Sequence, residues 1–258
     1  MHWPVVTFDE LDSTNMEAQR RIAAGVHKPT WIRAGSQTAG RGRSGRSWQS
    51  LDGNLLASLL LPLQCPPSVL HHLSLVSGLA LHQAITEYSR DKVSSLKPSL
   101  KWPNDVLIDD AKVAGILVES SIVGNRALAI IGFGVNLQAA PQLQDRNTTS
   151  LSDHGLITTP DEFLPFLDSS LANTISIWDN GREFDRIRQA WLNNSFPLDH
   201  PIAINTTQGR VQGGFAGLDN DGALLIRTTD GKIELFHFGD VAVGGDAATS
   251  ANGETRTT

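Results

Sequence analysis

The sequence predicts an α+β protein that ends in a small all-β barrel. Residues 1–195 combine apolar strand patterns with segments in which apolar residues recur at helical spacing. Residues 196–245 contain only short strand patterns separated by turns. Residues 246–258 lack core-forming side chains, so we expect a disordered tail. A chain of 258 residues is long enough for one large domain or two modest ones.

Strand patterns occur throughout the first domain. They cover residues 5–8, 31–37, 54–63, 99–109, 112–123 and 126–137. The last two predict a hairpin that turns at Gly124 and Asn125. Pro103 and Asn104 interrupt the strand that begins at residue 99. In the second domain, shorter strands are predicted at 201–205, 210–219, 222–228 and 232–241.

Helices are predicted only in the first domain. They cover residues 12–25, 67–90, 161–178 and 182–193. The first has capping-box spacing between Thr14 and Glu17 and ends at Gly25. The third begins after Thr159, with Pro160 at its first position. Helices and strands therefore share the first domain, whereas the second contains strands alone.

Composition and charge narrow the range of functions. The net charge of -6 argues against broad binding to nucleic acids or membrane surfaces. Cys65 is the only cysteine in the sequence, so no internal disulfide can form, which fits a reducing cytosol. The first residues lack the features of a signal peptide, and the apolar stretch 54–63 is far shorter than the ~20 residues of a membrane helix. We therefore expect a soluble cytoplasmic protein.

Residues 40–48, GRGRSGRSW, concentrate positive charge in an acidic chain. Glycines allow the backbone to approach a ligand closely, and arginines bind carboxylate or phosphate with paired donors. The loop therefore predicts a ligand with several acidic oxygens. Its glycine spacing also fits phosphate-binding motifs, but those lead into a helix, whereas a strand pattern follows here. We expect the loop to be mobile without ligand and ordered once ligand binds.

Further motifs make the pattern specific. They are DSTN (12–15), KWPND (101–105), KVAGILVE (112–119) and GFGVN (132–136), placed around the arginine-containing segment 37–48. Together these motifs resemble the biotin–protein ligases, and the resemblance covers essentially the whole chain. It implies a mixed-sheet catalytic domain with helices on one side (the class II synthetase-like biotin ligase fold). A small SH3-like barrel is then expected in residues 196–245.

The resemblance also implies an ATP-dependent, AMP-forming ligase. In that family the carboxylate of biotin attacks the α-phosphate of ATP, which gives biotinyl-5′-AMP and pyrophosphate. A lysine of a biotin carboxyl carrier protein, expected to belong to acetyl-CoA carboxylase, then attacks the mixed anhydride and AMP leaves. Mg²⁺ is expected as the ATP complex. No separate metal site is predicted, since no carboxylate or thiol set surrounds His71 and His72 in the sequence.

Cations must hold two anionic substrates together, because phosphoryl-type transfer depends on positioning and charge stabilisation. By the resemblance, Arg43 and Lys101 are the expected catalytic residues. The expected biotin-binding residues are Ser13, Thr14, Asn15, Gln37, Gly40, Arg41, Arg43, Lys101, Gly115 and Ile116. The expected nucleotide-binding residues are Arg41, Arg43, Arg46, Trp48, Asn104, Asp105, Lys112 and Asn136.

Some of these residues also have purely structural explanations. Ser13 and Thr14 could simply cap a helix, and the two roles are compatible because a helix N-terminus suits polar ligand atoms. Asn104 and Asp105 could form only a turn. Gly115 is less easily explained by packing, since a glycine in mid-strand often marks a close approach.

Two other functions stay open from the sequence. A lipoate or octanoate ligase or transferase of the related superfamily would share the scaffold, although GRGRSGR and KWPND favour biotin. A non-catalytic nucleic-acid adaptor would use the loop and the barrel, but the acidic charge counts against it. Because the first strand begins so early, we expect no helix-turn-helix domain and no direct binding to DNA. We expect a monomer or a homodimer with no membrane partner.

Overall fold

Within the described residues, seven strands form the mixed sheet of the first domain. We analysed a computed structural model of the chain, described in residues 2–93, 95–124, 126–144, 146–206 and 209–243. The strands are β1 (Val5–Leu11), β2 (Thr30–Gln37), β3 (Leu55–Leu63), β4 (Pro98–Lys101), β5 (Asp105–Ile108), β6 (Ala111–Val123) and β7 (Arg126–Val135). The predicted tail, 246–258, and Asn125 of the hairpin turn lie outside the described residues.

The order of these strands confirms the predicted mixed sheet. It is β1-β2-β3-β7-β6-β5-β4. β1 is parallel to β2, whereas the other neighbouring pairs are antiparallel. The strands that carry the motifs of residues 101–136 therefore lie side by side at one half of the sheet.

Helices cover both faces of this sheet, not one face as expected. They are α1 (Thr14–Ala23), α2 (Leu73–Ser89), α3 (Pro160–Trp178) and α4 (Phe184–Asn193). Ala18 of α1 packs with Ile32, Leu60 and Ile130 in a small separate core. The apolar residues next to these along each strand point to the opposite face and join the main core with the other helices. Among the described residues, no helix is long and apolar enough to cross a membrane.

The second domain is an antiparallel sheet of five strands within the described part of the chain. They are β8 (Pro201–Thr206), β9 (Gly209–Leu218), β10 (Leu224–Thr228), β11 (Ile233–Phe236) and β12 (Asp240–Val243), in the order β11-β10-β9-β8-β12. The single strand predicted at 232–241 is two strands, because the chain turns at Gly239, whose φ is 148°. This turn sends β12 to the other edge of the sheet, beside β8.

The predicted capping box at the start of α1 is wrong. Ser13 is the N-cap and its side chain makes no capping hydrogen bond. Thr14 is already the first helical residue, so its hydroxyl contacts Gln37 and Ser58 instead. Glu17 pairs with two arginines of its own helix. The side chains that looked like caps are therefore available to a site beside the helix.

One further element boundary differs from the prediction, and one predicted interruption is present. The helix predicted at 67–90 begins as a 3₁₀ helix at Pro67–His72 and becomes α2 only at Leu73. The interruption predicted at Pro103 and Asn104 within residues 99–109 is confirmed, because β4 and β5 form a hairpin that turns at residues 102–104. The peptide bond before Pro103 in this turn is cis.

A histidine pair joins the two domains through a carboxylate that the sequence did not indicate. Nε2 of His72 lies 3.1 Å from Oδ1 of Asp221 in the second domain, and Nε2 of His71 lies 3.2 Å from the other oxygen. Nδ1 of His72 accepts a hydrogen bond from Nε1 of Trp178 at 3.3 Å, so Nε2 carries the ring proton. Burial lowers the pKa of His72, which favours this neutral form. His72 is therefore a hydrogen-bond donor between the two domains.

Thr159→Ala should destabilise α3. The hydroxyl of Thr159 accepts from the backbone N–H of Glu162 at 3.3 Å, and the Glu162 carboxylate accepts from the backbone N–H of Thr159 at 3.1 Å. Loss of this capping box should lower the free energy of unfolding by about 1 kcal/mol, measured by urea denaturation. Thr159→Ser keeps the hydroxyl and should match the wild type. An alanine variant as stable as the serine variant would show that α3 does not depend on the cap.

Candidate active site

A cavity of about 370 Å³ brings together residues of both domains. Every residue of the predicted biotin and nucleotide sets lines it, except Gly40 and Lys101. The lining also contains residues that the sequence analysis did not assign, among them Ser44, Gly132, Gly134, Arg146, Thr148, Gly239 and Asp240. The structure therefore gathers the predicted residues at one place and adds a contribution from the second domain.

Alternate residues of the GFGVN motif form the floor of the cavity. Gly132, Gly134 and Asn136 line it, and successive members of this series are about 7 Å apart along the strand. A Cβ at Gly132 would lie 2.3 Å from Oδ1 of Asn15, and a Cβ at Gly134 would lie 2.3 Å from the Trp48 ring. The two glycines therefore let an amide and an indole lie directly on the sheet.

Trp48 packs over a second glycine as well. Gly115 of β6 pairs directly with Gly134 of β7, and a Cβ at Gly115 would lie 3.0 Å from the Trp48 ring. The indole N–H is buried and has no hydrogen-bond partner within the described residues. The structure thus places a flat glycine surface at the predicted position, with the indole of Trp48 packed on it.

Polar side chains cluster at the Gly132 end of the floor. The backbone N–H of Thr14 donates to Oε1 of Gln37 at 2.7 Å. Oγ of Ser58 lies 2.7 Å from Oγ1 of Thr14 and 2.6 Å from Oδ1 of Asn15. Thr14, Asn15 and Ser58 are buried. The predicted polar residues therefore meet, together with a serine from the apolar strand β3.

Residues 40–48, the glycine–arginine loop, fold into a tight hairpin. Arg41 and Ser47 form an antiparallel bridge, and the backbone N–H of Gly42 donates to the carbonyl of Arg46 at 2.7 Å. Ser44 adopts a φ of 56° at the tip, in the left-handed region. These main-chain contacts fix the spacing of the arginines.

Two arginines of the loop contact the second domain. Nη2 of Arg43 donates to the carbonyl of Gly239 at 3.3 Å, and Nη1 donates to Oδ1 of Asn104 at 3.2 Å. Nη2 of Arg46 lies 2.7 Å from Oδ2 of Asp240. Burial lowers the pKa of Arg43, but a guanidinium stays protonated in proteins. The loop therefore keeps its positive charge while it is held from both domains.

A buried carboxylate holds two lysines beside the loop. Oδ2 of Asp105 lies 3.0 Å from Nζ of Lys101, and Oδ1 lies 2.6 Å from Nζ of Lys112. Burial alone would raise the pKa of Asp105, but the ammonium groups of Lys112 and Lys101 lower it below its ordinary value. Burial also lowers the pKa of Lys112, and Asp105 opposes this effect. Two ammonium groups against one carboxylate favour an anionic ligand here.

Lys101, which is expected to contact substrate, is not one of the described residues that line this cavity. Its Nζ donates to the carbonyl of Val241 at 3.0 Å, whereas Lys112 lines the cavity. Asn104 and Asn136 also line the cavity, but their amide groups donate to nearby main-chain carbonyls. These two amides are therefore held in fixed orientations by the scaffold.

Gly40 closes the base of the loop and does not line the cavity. Its carbonyl accepts from the backbone N–H of Trp48 at 2.9 Å, and a Cβ at Gly40 would lie 2.6 Å from the Trp48 carbonyl. Arg41, which does line the cavity, lies 3.6 Å from Oε1 of Glu119. Position 40 therefore requires glycine for main-chain packing.

The mixed sheet, the glycine floor and the cation cluster define a catalytic domain for anionic substrates, completed by a small β domain. The profile of the Biotin/lipoate A/B protein ligase family matches residues 7–136, and that of the Biotin protein ligase C terminal domain matches residues 198–244. The chain belongs to the Biotin/lipoate A/B protein ligase family.

Similar proteins match the chain over most of its length. A Paracoccus denitrificans protein named biotin--[acetyl-CoA-carboxylase] ligase is 36% identical over 241 residues, which cover 91% of this chain and 98% of that one. A Mycobacterium tuberculosis protein of the same name is 35% identical over 240 residues, which cover 90% and 86%. The structure of biotin protein ligase from Aquifex aeolicus in complex with biotin and ATP matches with a TM-score of 0.77 at 28% identity, covering 93% of this chain and 99% of that chain. The predicted biotin ligase fold is confirmed.

Asp105→Asn should destabilise the protein, because it leaves two lysines without their carboxylate. Breaking a buried ion pair on one side should lower the free energy of unfolding by about 3 kcal/mol at neutral pH. Asp110→Asn changes an exposed carboxylate of the same region and is the matched control. Urea denaturation at pH 7 measures both changes. A loss no larger than that of the control would contradict the stabilising role of Asp105.

The ion pairs of Asp105 should also make the free energy of unfolding depend on pH, in a direction set by the pKa shift of Asp105. Because folding lowers the pKa of Asp105, its stabilising effect is present above the unfolded pKa of about 3.9 and is lost as the pH falls below that value. The wild type should therefore lose stability below about pH 5 more steeply than Asp105→Asn. Parallel profiles of unfolding free energy against pH would show that Asp105 is not stabilised as an ion.

Proposed function

We propose that the chain activates biotin with ATP to biotinyl-5′-AMP and transfers biotin to a specific lysine of a biotin carboxyl carrier protein. The observation that carries this proposal is a cavity that joins a buried polar cluster, a glycine floor and a set of cations. The polar cluster suits a small ring with several hydrogen-bonding atoms, and the cations suit a carboxylate and a phosphate. Relatives with the same architecture are named as biotin ligases, and a similar structure holds biotin and ATP.

In the first step, fixed cations bring two anions together. Arg43 and Lys112 face the cavity and would neutralise the carboxylate of biotin and the α-phosphate of ATP. Lys101, held by Asp105, adds positive charge to the same region. The carboxylate oxygen attacks the α-phosphorus, and pyrophosphate leaves as charge accumulates on the phosphate oxygens. Cations already held in place stabilise that charge without reorganisation.

The other predicted roles follow from position in the cavity. For the ureido ring and the rest of biotin we assign Ser13, Thr14, Asn15, Gln37, Arg41, Gly115 and Ile116. For the nucleotide we assign Arg41, Arg46, Trp48, Asn104, Asp105 and Asn136. Gly40 supports these groups through the main chain of the loop.

Mg²⁺ enters this scheme with ATP. Among the described lining residues the carboxylates are Asp105, which is paired with two lysines, and Asp240, which is paired with Arg46. These carboxylates are not arranged to hold a resident metal ion. The ion would instead be held by phosphate oxygens, as is common for Mg²⁺ bound with a nucleotide.

In the second step, the lysine of the carrier attacks the carbonyl of biotinyl-5′-AMP, and AMP leaves. The names of the relatives support the carrier domain of acetyl-CoA carboxylase as the partner. The net charge of -6 supports a protein that does not bind DNA or membrane surfaces. The single cysteine fits a cytoplasmic location, and the protein would act as a monomer or a homodimer.

Formation of the acyl-adenylate tests the first step. The protein is incubated with ATP, Mg²⁺ and either biotin or lipoate, and the product is measured by mass spectrometry. We expect biotinyl-AMP from the wild type and a loss of about 100-fold in rate for Arg43→Ala and Lys112→Ala, which remove cations from the cavity. Lys101→Ala should also lose activity, because Asp105 would then compete with the substrate for Lys112. Arg90→Ala and Lys97→Ala change exposed cations and are matched controls.

The outcomes separate the competing functions. Lipoyl-AMP in place of biotinyl-AMP would leave the proposed reaction on this fold intact, but would show that the substrate is lipoate and not biotin. If neither acid is adenylated and the protein binds RNA with a steep salt dependence, a nucleic-acid adaptor would replace the ligase. Equal losses in the control variants would show that the cations of the cavity have no special role.

A further inference from the structure

Ser58 and Glu119 lie behind the polar cluster and fix the direction of its hydrogen bonds. We propose that they are positioning residues, which make the hydroxyl of Thr14 an acceptor for an N–H group of the substrate ring. This inference deepens the proposed function and rests on it, since the ring in question is the ureido ring of biotin. Neither residue belongs to the predicted binding sets.

The side chain of Ser58 is buried, and within the described residues its hydroxyl group contacts only residues of the site. It is fully buried in β3, where it pairs with Gly132 of β7. Its Oγ lies 2.7 Å from Oγ1 of Thr14 and 2.6 Å from Oδ1 of Asn15. A buried hydroxyl is costly unless it is hydrogen-bonded, and both of its partners here are residues that line the cavity. The apolar strand β3 thus places one hydroxyl group where it can hydrogen-bond to both Thr14 and Asn15.

The number of hydroxyl protons in the polar cluster determines which group donates in each hydrogen bond. Oδ1 of Asn15 can only accept, so the single hydroxyl proton of Ser58 is donated to it. Oγ1 of Thr14 lies 2.7 Å from Oγ of Ser58 and 3.1 Å from Oε1 of Gln37, so the nearer Ser58 then accepts the hydroxyl proton of Thr14. Oε1 of Gln37 already accepts the backbone N–H of Thr14 at 2.7 Å, so it does not require that proton. A lone pair of the Thr14 hydroxyl is then available to a donor in the cavity.

Glu119 sets the orientation of the Asn15 amide on which this direction depends. Oε2 of Glu119 accepts from Nδ2 of Asn15 at 2.7 Å, and Oε1 accepts from Nε2 of Gln19 at 3.1 Å. The carbonyl of Leu117 also accepts from Nδ2 of Asn15, at 3.4 Å. Because a carboxylate accepts and does not donate, the amide turns its nitrogen to Glu119 and its oxygen to Ser58.

This direction matches a ligand that donates hydrogen bonds. A ureido ring carries two N–H donors, one on each side of its carbonyl. Hydrogen bonds in a chain polarise one another, so a Thr14 hydroxyl that donates to Ser58 is a better acceptor for such an N–H. A ligand that lacks the donor would leave the buried hydroxyl unpaired. Sites built to hydrogen-bond a substrate group discriminate strongly in this way.

Steady-state adenylation by the purified chain separates this role from a purely structural one. We expect Ser58→Ala and Glu119→Met to raise the KM for biotin about 10-fold, with kcat and the KM for ATP nearly unchanged. Glu119→Gln keeps an oxygen that accepts from Asn15, so it should retain the wild-type KM for biotin. Thermal unfolding of each variant shows whether the fold is intact.

Biotin analogues methylated on one or the other ureido nitrogen provide a second readout. The wild type should prefer biotin to the analogue that lacks the N–H facing Thr14. This preference should fall about 10-fold in Ser58→Ala, where the hydroxyl of Thr14 is no longer directed. The bulk of the methyl group affects both proteins alike, so the difference between them reports the hydrogen bond.

Three results would overturn the proposal. One is an unchanged KM for biotin in Glu119→Met, and another is a Glu119→Gln variant as impaired as Glu119→Met. The third is a variant in which kcat falls and the KM for ATP rises as much as the KM for biotin does. That result would show that Ser58 and Glu119 support the fold in general. If the wild type itself forms no biotinyl-AMP, the proposed function fails instead, and the same assay shows this before any variant is compared.

Discussion

The arrangement of the cavity depends most on the two ion pairs that Asp105 forms with Lys101 and Lys112. Register pairs Lys101 of β4 directly with Asp105 of β5, and Lys112 comes from the adjacent strand β6. The three charges therefore meet only if this part of the sheet is built correctly. A buried charge is costly without its partner, so the hairpin at residues 102–104 must keep its register. The remaining positive charge is then directed at an anionic substrate.

The glycine floor and the cations depend on one another. A Cβ at Gly115 would lie 2.9 Å from Nζ of Lys112 and 3.0 Å from the Trp48 ring. Nζ of Lys112 also lies 5.5 Å from the centre of that ring, within the range of a cation–π contact. The absence of one side chain thus lets a lysine and an indole share the same surface. A larger residue at position 115 would disturb both the floor and the charge beside it.

Local patterns in the sequence predicted the strands and the loop, because periodicity and motif spacing depend on neighbouring residues. Half of the described residues that line the cavity were predicted, and they were predicted through the family resemblance. Ser58 and Glu119 were not assigned to the site, since a serine in an apolar strand has no distinctive pattern and the motif KVAGILVE gave no role to its last residue, Glu119. Lys101 was assigned by its motif, but the sequence did not indicate its ion pair with Asp105. Such differences arise from pairing between distant strands, which a single sequence does not reveal.

The second domain completes the cavity. Three consecutive residues, 239–241, contact Arg43, Arg46 and Lys101 in turn. Two of these contacts use main-chain carbonyls, whereas the contact with Arg46 uses the carboxylate of Asp240, so only the latter depends on the identity of the side chain in this turn. The cations proposed to hold the substrates are therefore held partly from outside the catalytic domain. Because that support crosses the predicted boundary near residue 196, the geometry of the active site depends on how the two domains pack. The proposed catalytic unit therefore includes residues on both sides of that predicted boundary.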